Sequence, residues 1–434
     1  MSGPNQAGGL TNAAIAKIVR CGGSFMNALV TNKNFIALFF GRLISNIGDS
    51  LYYIAAMWLA YELGGSAFYA GLAGFLTLLP ECLSFLAGPI VDRLSLKKML
   101  VIPSILQGLL LMTIPTLYLF HLLTVTAVLI IMPLVALIDL FPYPAEDALI
   151  PRLVPQNQLV AANSGMSFSY QGTDLIFSLS GGLLILLTGA VNLYLIDALT
   201  FFVAATFFAT IRLKWPSQKE ARPPFDFSTY RADLAAGFRF VIQPLNFTLL
   251  LPLLAINFFL SAVLAALPSF ANQLGGPEKY GILLTCYTLG FLLGTLTSSF
   301  VSRRLSMGKA LIYGYACSSL MWLLAACAAD QSFVLCCAFI VLANLPVGAT
   351  NIMFNTFFQV TPPQDMIGRV SAVIETLIAA AMPLGALFGG AIAAWLGNTP
   401  LLVFQGAVVL ITALVWMMNK RLRRIPRLEG LNGL

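Results

Sequence analysis

Apolar residues in this chain do not alternate with polar ones. They form long unbroken runs separated by short polar clusters. About 20 apolar residues, rising about 1.5 Å each, carry a helix across the hydrocarbon of a bilayer. Twelve runs reach that length: 35–63, 69–91, 99–120, 125–144, 163–188, 191–211, 247–272, 280–301, 310–329, 333–360, 371–396 and 400–418. Their continuity predicts helices rather than the period-two strands of a barrel. The chain therefore divides into a tail (1–34), a six-helix half (35–211), a linker (212–246), a second six-helix half (247–418) and a basic tail (419–434). Pro216, Pro223 and Pro224 mark the first part of the linker as irregular, and 230–242 has the pattern of a short helix lying along the membrane.

Composition agrees with the pattern. The 434 residues are 59% hydrophobic and 9% charged, with mean hydropathy +0.88. Soluble domains average about 25% charged residues, so lipid must solvate much of this surface. The net charge of +7 invites a nucleic-acid reading, but its placement argues against one. If both termini face the cytoplasm, every Lys and Arg except Arg42 and Lys279 falls on the cytoplasmic side, as the positive-inside rule requires. Anionic lipid heads are the natural partner for that charge. The seven cysteines have no metal or redox spacing and read as small buried hydrophobes. The single histidine, His121, lies between two runs, so a histidine metal site is not expected. No Gly-rich Lys-Ser/Thr loop and no H-E-x-x-H motif is present, so the sequence predicts neither an enzyme nor a cofactor. The first 34 residues lack the apolar core and cleavage site of a secretory signal.

Charges inside the apolar runs point to chemistry. Arg42, Asp49, Glu81, Asp139, Asp174, Asp197 and Glu375 all fall within them. An ionisable residue at the bilayer centre costs about 2.5–3.5 kcal/mol on insertion scales, so its default reading is functional. Asp49 is the leading candidate, near mid-membrane and two turns from Arg42 on about the same helix face. The structural alternative is a permanent Arg42–Asp49 or Arg42–Asp139 bridge. Glu81 follows Pro80, where a proline frees backbone groups and kinks a helix. Asp197 reads as a cap or an interspan hydrogen bond, and Glu375 as a carboxylate at a helix N-terminus. Asn344, Asn351 and Asn355 share one helical face in the tenth run, which suggests a lined wall. The excess of acid over base in the runs favours a cationic or amphipathic ligand.

Local motifs then carry a resemblance. Between the second and third runs stands Gly88-Pro-Ile-Val-Asp92-Arg93-Leu-Ser-Leu-Lys97-Lys98, similar to the G-x-L-A-D-R-x-G-R-K loop of the major facilitator superfamily. Ser95 and Leu96 depart from it. Gly41-Arg42 to Gly48-Asp49, Ile150-Pro-Arg152, Asp197-Ala-Leu-Thr-Phe201 and Gly368-Arg369-Val-Ser371 resemble the bacterial drug–proton antiporter branch, which holds macrolide-efflux and siderophore-export proteins. The resemblance implies an all-α membrane fold of twelve helices in two six-helix halves, in which spans 1, 2, 4, 5, 7, 8, 10 and 11 line a cavity. It implies that Gly88, Asp92, Arg93, Lys97, Lys98, Gly368 and Arg369 form a cytoplasmic gate, with Asp92 docking beside Arg369. The arginine common in span 4 of such antiporters and the glycine-proline signature of span 5 are both missing.

The sequence thus predicts a monomeric multi-pass transporter of a bacterial cytoplasmic membrane. It would export amphipathic drugs or secondary metabolites against protons, with Asp49, Arg42, Glu81, Asp139, Asp174, Asn351 and Asn355 in the cavity. A lipid or lysolipid flippase of the same fold, and a non-transporting membrane sensor or scaffold, remain open alternatives.

Overall fold

The computed structural model describes residues 32–86, 95–155, 158–212, 235–363 and 366–426, and these are helical almost throughout. The first half contains α1 (Lys33–Gly64), α2 (Ala67–Leu78, continued as a 3₁₀ segment Leu79–Leu86), α3 (Leu96–Leu119), α4 (Val125–Asp139), α5 (Pro142–Leu153), α6 (Leu159–Thr188) and α7 (Ala190–Thr210). The second contains α8 (Pro244–Leu274), α9 (Pro277–Arg304), α10 (Met307–Ala328), α11 (Phe333–Val360), α12 (Ile367–Leu396), α13 (Thr399–Met418) and the short α14 (Lys420–Arg423). Of the linker, 235–241 is helical and 213–234 lies outside the described residues.

Over its described residues every predicted run is largely helical, but the runs are not alike. Among the described residues nine segments are long and apolar enough to cross a membrane, with α4 and α5 together counting as one of them. The 32-residue α1 and the 30-residue α6 match them in length but are diluted by polar residues, and the apolar stretch 67–82 is shorter. Those three segments are also the ones that carry Arg42, Asp49, Glu81 and Asp174.

Local chemistry sets the breaks. The Asn32 side chain caps α1, accepting from the N–H groups of Asn34 and Phe35 at 3.1 and 3.2 Å. Gly65, at φ +66°, terminates the same helix in a left-handed conformation that glycine adopts without strain. Pro80 lacks an N–H, and the α-helix gives way to the tighter 3₁₀ winding around it. The fourth run ends as an α-helix at Asp139 and restarts at Pro142, whose fixed φ suits a first helical position. The run therefore continues well past residue 144, and Glu146 belongs to it rather than to a loop.

In the first half α1 packs against α6 and α7, and α3 packs against α7. In the second, α9 and α10 pack against α11, while α8 and α10 pack against α13. Glycines allow the closest approaches. Gly290 and Gly294 of α9 meet the backbone of α11 at Val341 and Leu345. Between the halves α2 crosses α12 at Gly71 and Gly390, where a side chain on either glycine would strike the other backbone. Nearby, the rings of Trp58 and Tyr280 stack at 5.8 Å, and Asn272 Nδ2 donates to Tyr61 Oη at 3.0 Å. Alternation of direction places Lys33, Lys97, Arg212, Arg303, Lys309 and Lys420 at one end of the bundle, here called the basic end. The Trp58–Tyr280 stack lies toward the opposite end.

Candidate functional site

Between the halves lies a cavity of about 450 Å³. Helix α1 contributes Asn46, Asp49, Ser50, Tyr53 and Ile54; α5 contributes Tyr143, and α6 contributes Tyr170 and Asp174. Across from them stand Leu264 of α8 with Tyr280, Leu284, Tyr287 and Thr288 of α9. The described lining thus presents two carboxylates and five tyrosines, and no lysine or arginine. Tyrosine rings offer an electron-rich face to cations and a hydroxyl for hydrogen bonds. Such walls suit an organic ligand that is partly apolar and positively charged.

Behind the tyrosines lies the principal ion pair. Arg42 and Glu146 are each 2% exposed, with Nε 3.0 Å from Oε2. Tyr170 Oη accepts from Arg42 Nε at 2.6 Å and donates to Glu146 Oε2 at 2.8 Å, closing a three-membered network. The guanidinium carbon sits 3.8 Å from the centre of the Tyr143 ring and 4.9 Å from that of Tyr170, and the two rings stack at 5.1 Å. Two cavity tyrosines therefore separate the cation from the ligand space. Burial of a pair is tolerated only with such geometry and additional hydrogen bonds.

This network corrects the sequence expectation. Arg42 bridges neither Asp49 nor Asp139 but Glu146, which run-based reasoning had placed beyond the membrane. Two prolines and two adjacent acids in Pro142-Tyr-Pro-Ala-Glu146-Asp147 resemble a loop. The overlooked signal is helical spacing: Glu146 shares its buried face with Leu149 and Ile150, whereas Asp147 is exposed.

The other predicted residues disperse. Asp49 and Asp174 line the cavity, and Asp49 Oδ2 is buried without a hydrogen-bond partner. Asp139 is half-buried and accepts from Gln107 Nε2 at 3.2 Å. Glu81 is exposed on the 3₁₀ segment and stands outside the cavity lining. Asn355 Nδ2 donates to Asn351 Oδ1 at 3.1 Å, and neither lines the cavity. Tyr53, Tyr143, Tyr170 and Tyr280 were not singled out from the sequence. At the basic end Lys97 Nζ donates to the Ala209 carbonyl, and Lys98 is exposed. Arg369, preceded by Gly368 at the start of α12, has its carbonyl against Gly237. Gly88, Asp92 and Arg93 lie outside the described residues, and the expected docking of Asp92 beside Arg369 lies with them.

Comparison with known proteins now places this geometry. The model of the family described as transmembrane secretion effector matches residues 26–431. The multidrug efflux pump Tap of Mycolicibacterium fortuitum is 24% identical over 410 residues, covering 90% of this chain and 96% of that one. Macrolide efflux protein A of Streptococcus pyogenes is 24% identical over 416 residues, covering 90% and 97%. Among solved structures, a bacterial homologue of the human lysosomal transporter Spinster, inward-facing and occupied, superposes with a TM-score of 0.68 at 13% identity, covering 89% and 96%. An inward-facing bacterial homologue of the iron transporter ferroportin gives 0.67 at 14% identity, covering 88% and 98%. At those identities the structures speak for the fold alone. The chain belongs to the transmembrane secretion effector family of the major facilitator superfamily, in the branch that includes these named efflux pumps.

Proposed function

We propose that this transporter exports amphipathic organic cations, drug-like or secondary-metabolite in kind, in exchange for protons. The observation that carries the reading is the cavity itself. It lies between the halves, its described lining holds Asp49 and Asp174 among five tyrosines, and the nearest described arginine is screened behind two rings. A cation would displace a proton from such walls by charge balance, since an uncompensated negative site in a low dielectric is costly. The relatives' names, multidrug efflux pump and macrolide efflux protein, support drug-like cargo.

In this reading the halves rock about the midplane site and expose it to each side in turn. The basic end faces the cytoplasm of a bacterial cell, which puts both termini inside. Asp49 is the carboxylate that trades proton for substrate. Asp174, on the facing helix α6, helps to hold the bound cation, and Tyr53 and Tyr287 supply ring faces.

The test uses purified protein in proteoliposomes, with ethidium as the cation and an imposed pH gradient. Wild type should accumulate ethidium under the gradient and lose it when the gradient is collapsed. Asp49→Asn should bind ethidium but fail to accumulate it. Gradient-driven accumulation by Asp49→Asn equal to wild type would remove the carboxylate from the mechanism. Transport of a neutral lysolipid in preference to ethidium would favour the flippase alternative.

A further inference from the structure

Neither the cavity nor the ion pair uses Asp197. The residue is 0% exposed on α7, and neither carboxyl oxygen has a hydrogen-bond partner. The cap or interspan hydrogen bond expected from the sequence is not there. The nearby Thr200 hydroxyl donates to the backbone carbonyl of Asp197 at 2.7 Å rather than to its side chain.

Helices α1 and α3 pack against α7 around this carboxyl, and α4 is linked to the group through Gln107. On α1, Gly48 lies flush against it: a Cβ there would overlap both Asp197 Oδ1 and Thr200 Oγ1. Asp49 is the next residue along. On α3, a Cβ at Gly108 would come to 3.2 Å from the Ala198 carbonyl, which sets Gln107 level with Asp197. The Gln107 side chain is 1% exposed; its Nε2 reaches Asp139 on α4, and its Oε1 has no partner. One turn before Asp197 on α7, Tyr194 is 0% exposed with an unpartnered hydroxyl. Asp49 Oδ2, Gln107 Oε1, Tyr194 Oη and both Asp197 oxygens make up half of all unpartnered buried side-chain atoms among the described residues. All five are oxygens.

Four of them are acceptors only, the fifth being a hydroxyl, and buried acceptors without partners are rare because each gives up hydration for nothing. A concentration of them around carboxylates calls for a positive ligand. A metal ion needs several oxygens converging on one point, and among the described residues no group of three or more Asp, Glu, His or Cys side chains is placed to supply them. A proton needs one oxygen to hold it and one to receive it.

We propose that Asp197 is a proton-holding residue of the transport cycle, storing the coupling proton behind the substrate cavity and exchanging it with Asp49. The proposal rests on the antiport reading above. The proton leaves the Asp197 O–H for an oxygen of Asp49; Asp197 becomes the carboxylate and Asp49 the acid, so the pair keeps a single proton during this exchange and loses it only at the next step. Asp49, which also lines the cavity, then releases it there as cation arrives. The titratable groups within electrostatic reach of Asp197 are Asp49 and Tyr52 on α1, Asp139 on α4 and Tyr194 on its own helix. Gln107 on α3 is neutral, and Arg42 is tied to Glu146.

Two measurements on full-length Asp197→Asn and Asp197→Glu test this. Infrared spectra of purified protein should show the carbonyl stretch of a protonated carboxyl in wild type, weakened in Asp197→Asn and shifted in Asp197→Glu. In proteoliposomes, Asp197→Asn should lower the gradient-driven ethidium accumulation ratio by at least about fivefold, the low end of ordinary coupling factors. The loss should fall on accumulation more than on gradient-free ethidium exchange, and Asp197→Glu should restore part of it. Unaltered coupling in Asp197→Asn beside a coupled wild type would overturn this proposal and leave the antiport reading standing. A wild type indifferent to the pH gradient would overturn both. A sodium-dependent rise in wild-type thermal stability that Asp197→Asn abolishes would replace the proton with a metal ion.

Discussion

Among the described residues, the buried polar side chains of the first half include Arg42, Glu146 and Asp197, whereas those of the second are serines, threonines, asparagines and Gln405. Several second-half groups are satisfied within their own helix, and the bonds between its helices are neutral ones, such as Ser261 Oγ to the Met382 carbonyl. Asn344 donates to the Ile340 carbonyl at 2.8 Å, Thr350 to Pro346 at 2.8 Å and Thr412 to Val408 at 2.9 Å, each one turn back along its own helix. Such bonds restrain a helix without committing it to a particular neighbour. The first half instead ties α1 to α5 and α6 through charge. The two halves thus share a helical plan but divide the labour: one carries titratable groups, and the other supplies a neutral wall of Leu264, Tyr280, Leu284, Tyr287 and Thr288.

Substitutions can break or sharpen that contrast. The largest effect is expected at Glu146. Glu146→Ala leaves the Arg42 charge buried with no carboxylate, and removal of one partner from a buried pair costs about 3–5 kcal/mol. Thermal unfolding in detergent should report it, and replacing both residues together, Arg42→Met with Glu146→Leu, should recover most of the loss. A small loss in the single variant would mean that the pair is not what fixes α5 against α1. Tyr170→Phe comes next. It deletes the hydroxyl shared by Arg42 and Glu146, and hydrogen bonds to charged groups contribute about 1.5–3 kcal/mol. The smallest effect belongs to the second half. Ser319→Ala removes a neutral bond from Ser319 Oγ to the Gly406 carbonyl at 2.8 Å, within the ordinary range of about 0.5–1.5 kcal/mol. If Ser319→Ala matched Glu146→Ala, the contrast between the halves would collapse.

The fold was legible because lipid imposes a simple rule: twenty apolar residues in a row have few structures available. Pro80 announced trouble in the second span, and the winding does change there. Partnerships were harder to read. Arg42 and Glu146 are far apart in the chain, and nothing local to either names the other. Glu146 looked extramembranous because Pro142 and Pro144 surround it with loop-like company, yet prolines in a helix's first turn are stabilising rather than disruptive. Four of the five cavity tyrosines escaped notice for a related reason. Tyrosine counts as apolar when runs are measured, so its hydroxyl becomes visible only once the helices are assembled. Asp197 was read as a structural group by default, a reading that its carboxyl, with no hydrogen-bond partner on either oxygen, does not sustain.

One contact has a wider consequence. Where Gly71 meets Gly390, backbone touches backbone and no rotamer must be reseated when the angle between α2 and α12 changes. In the rocking cycle proposed above, that crossing is a closure of the end away from the basic residues that parts and re-forms without depending on cargo. Substitutions in the tyrosine-lined walls can then retune what is carried without disturbing that closure, so selectivity and mechanics rest on separate residues.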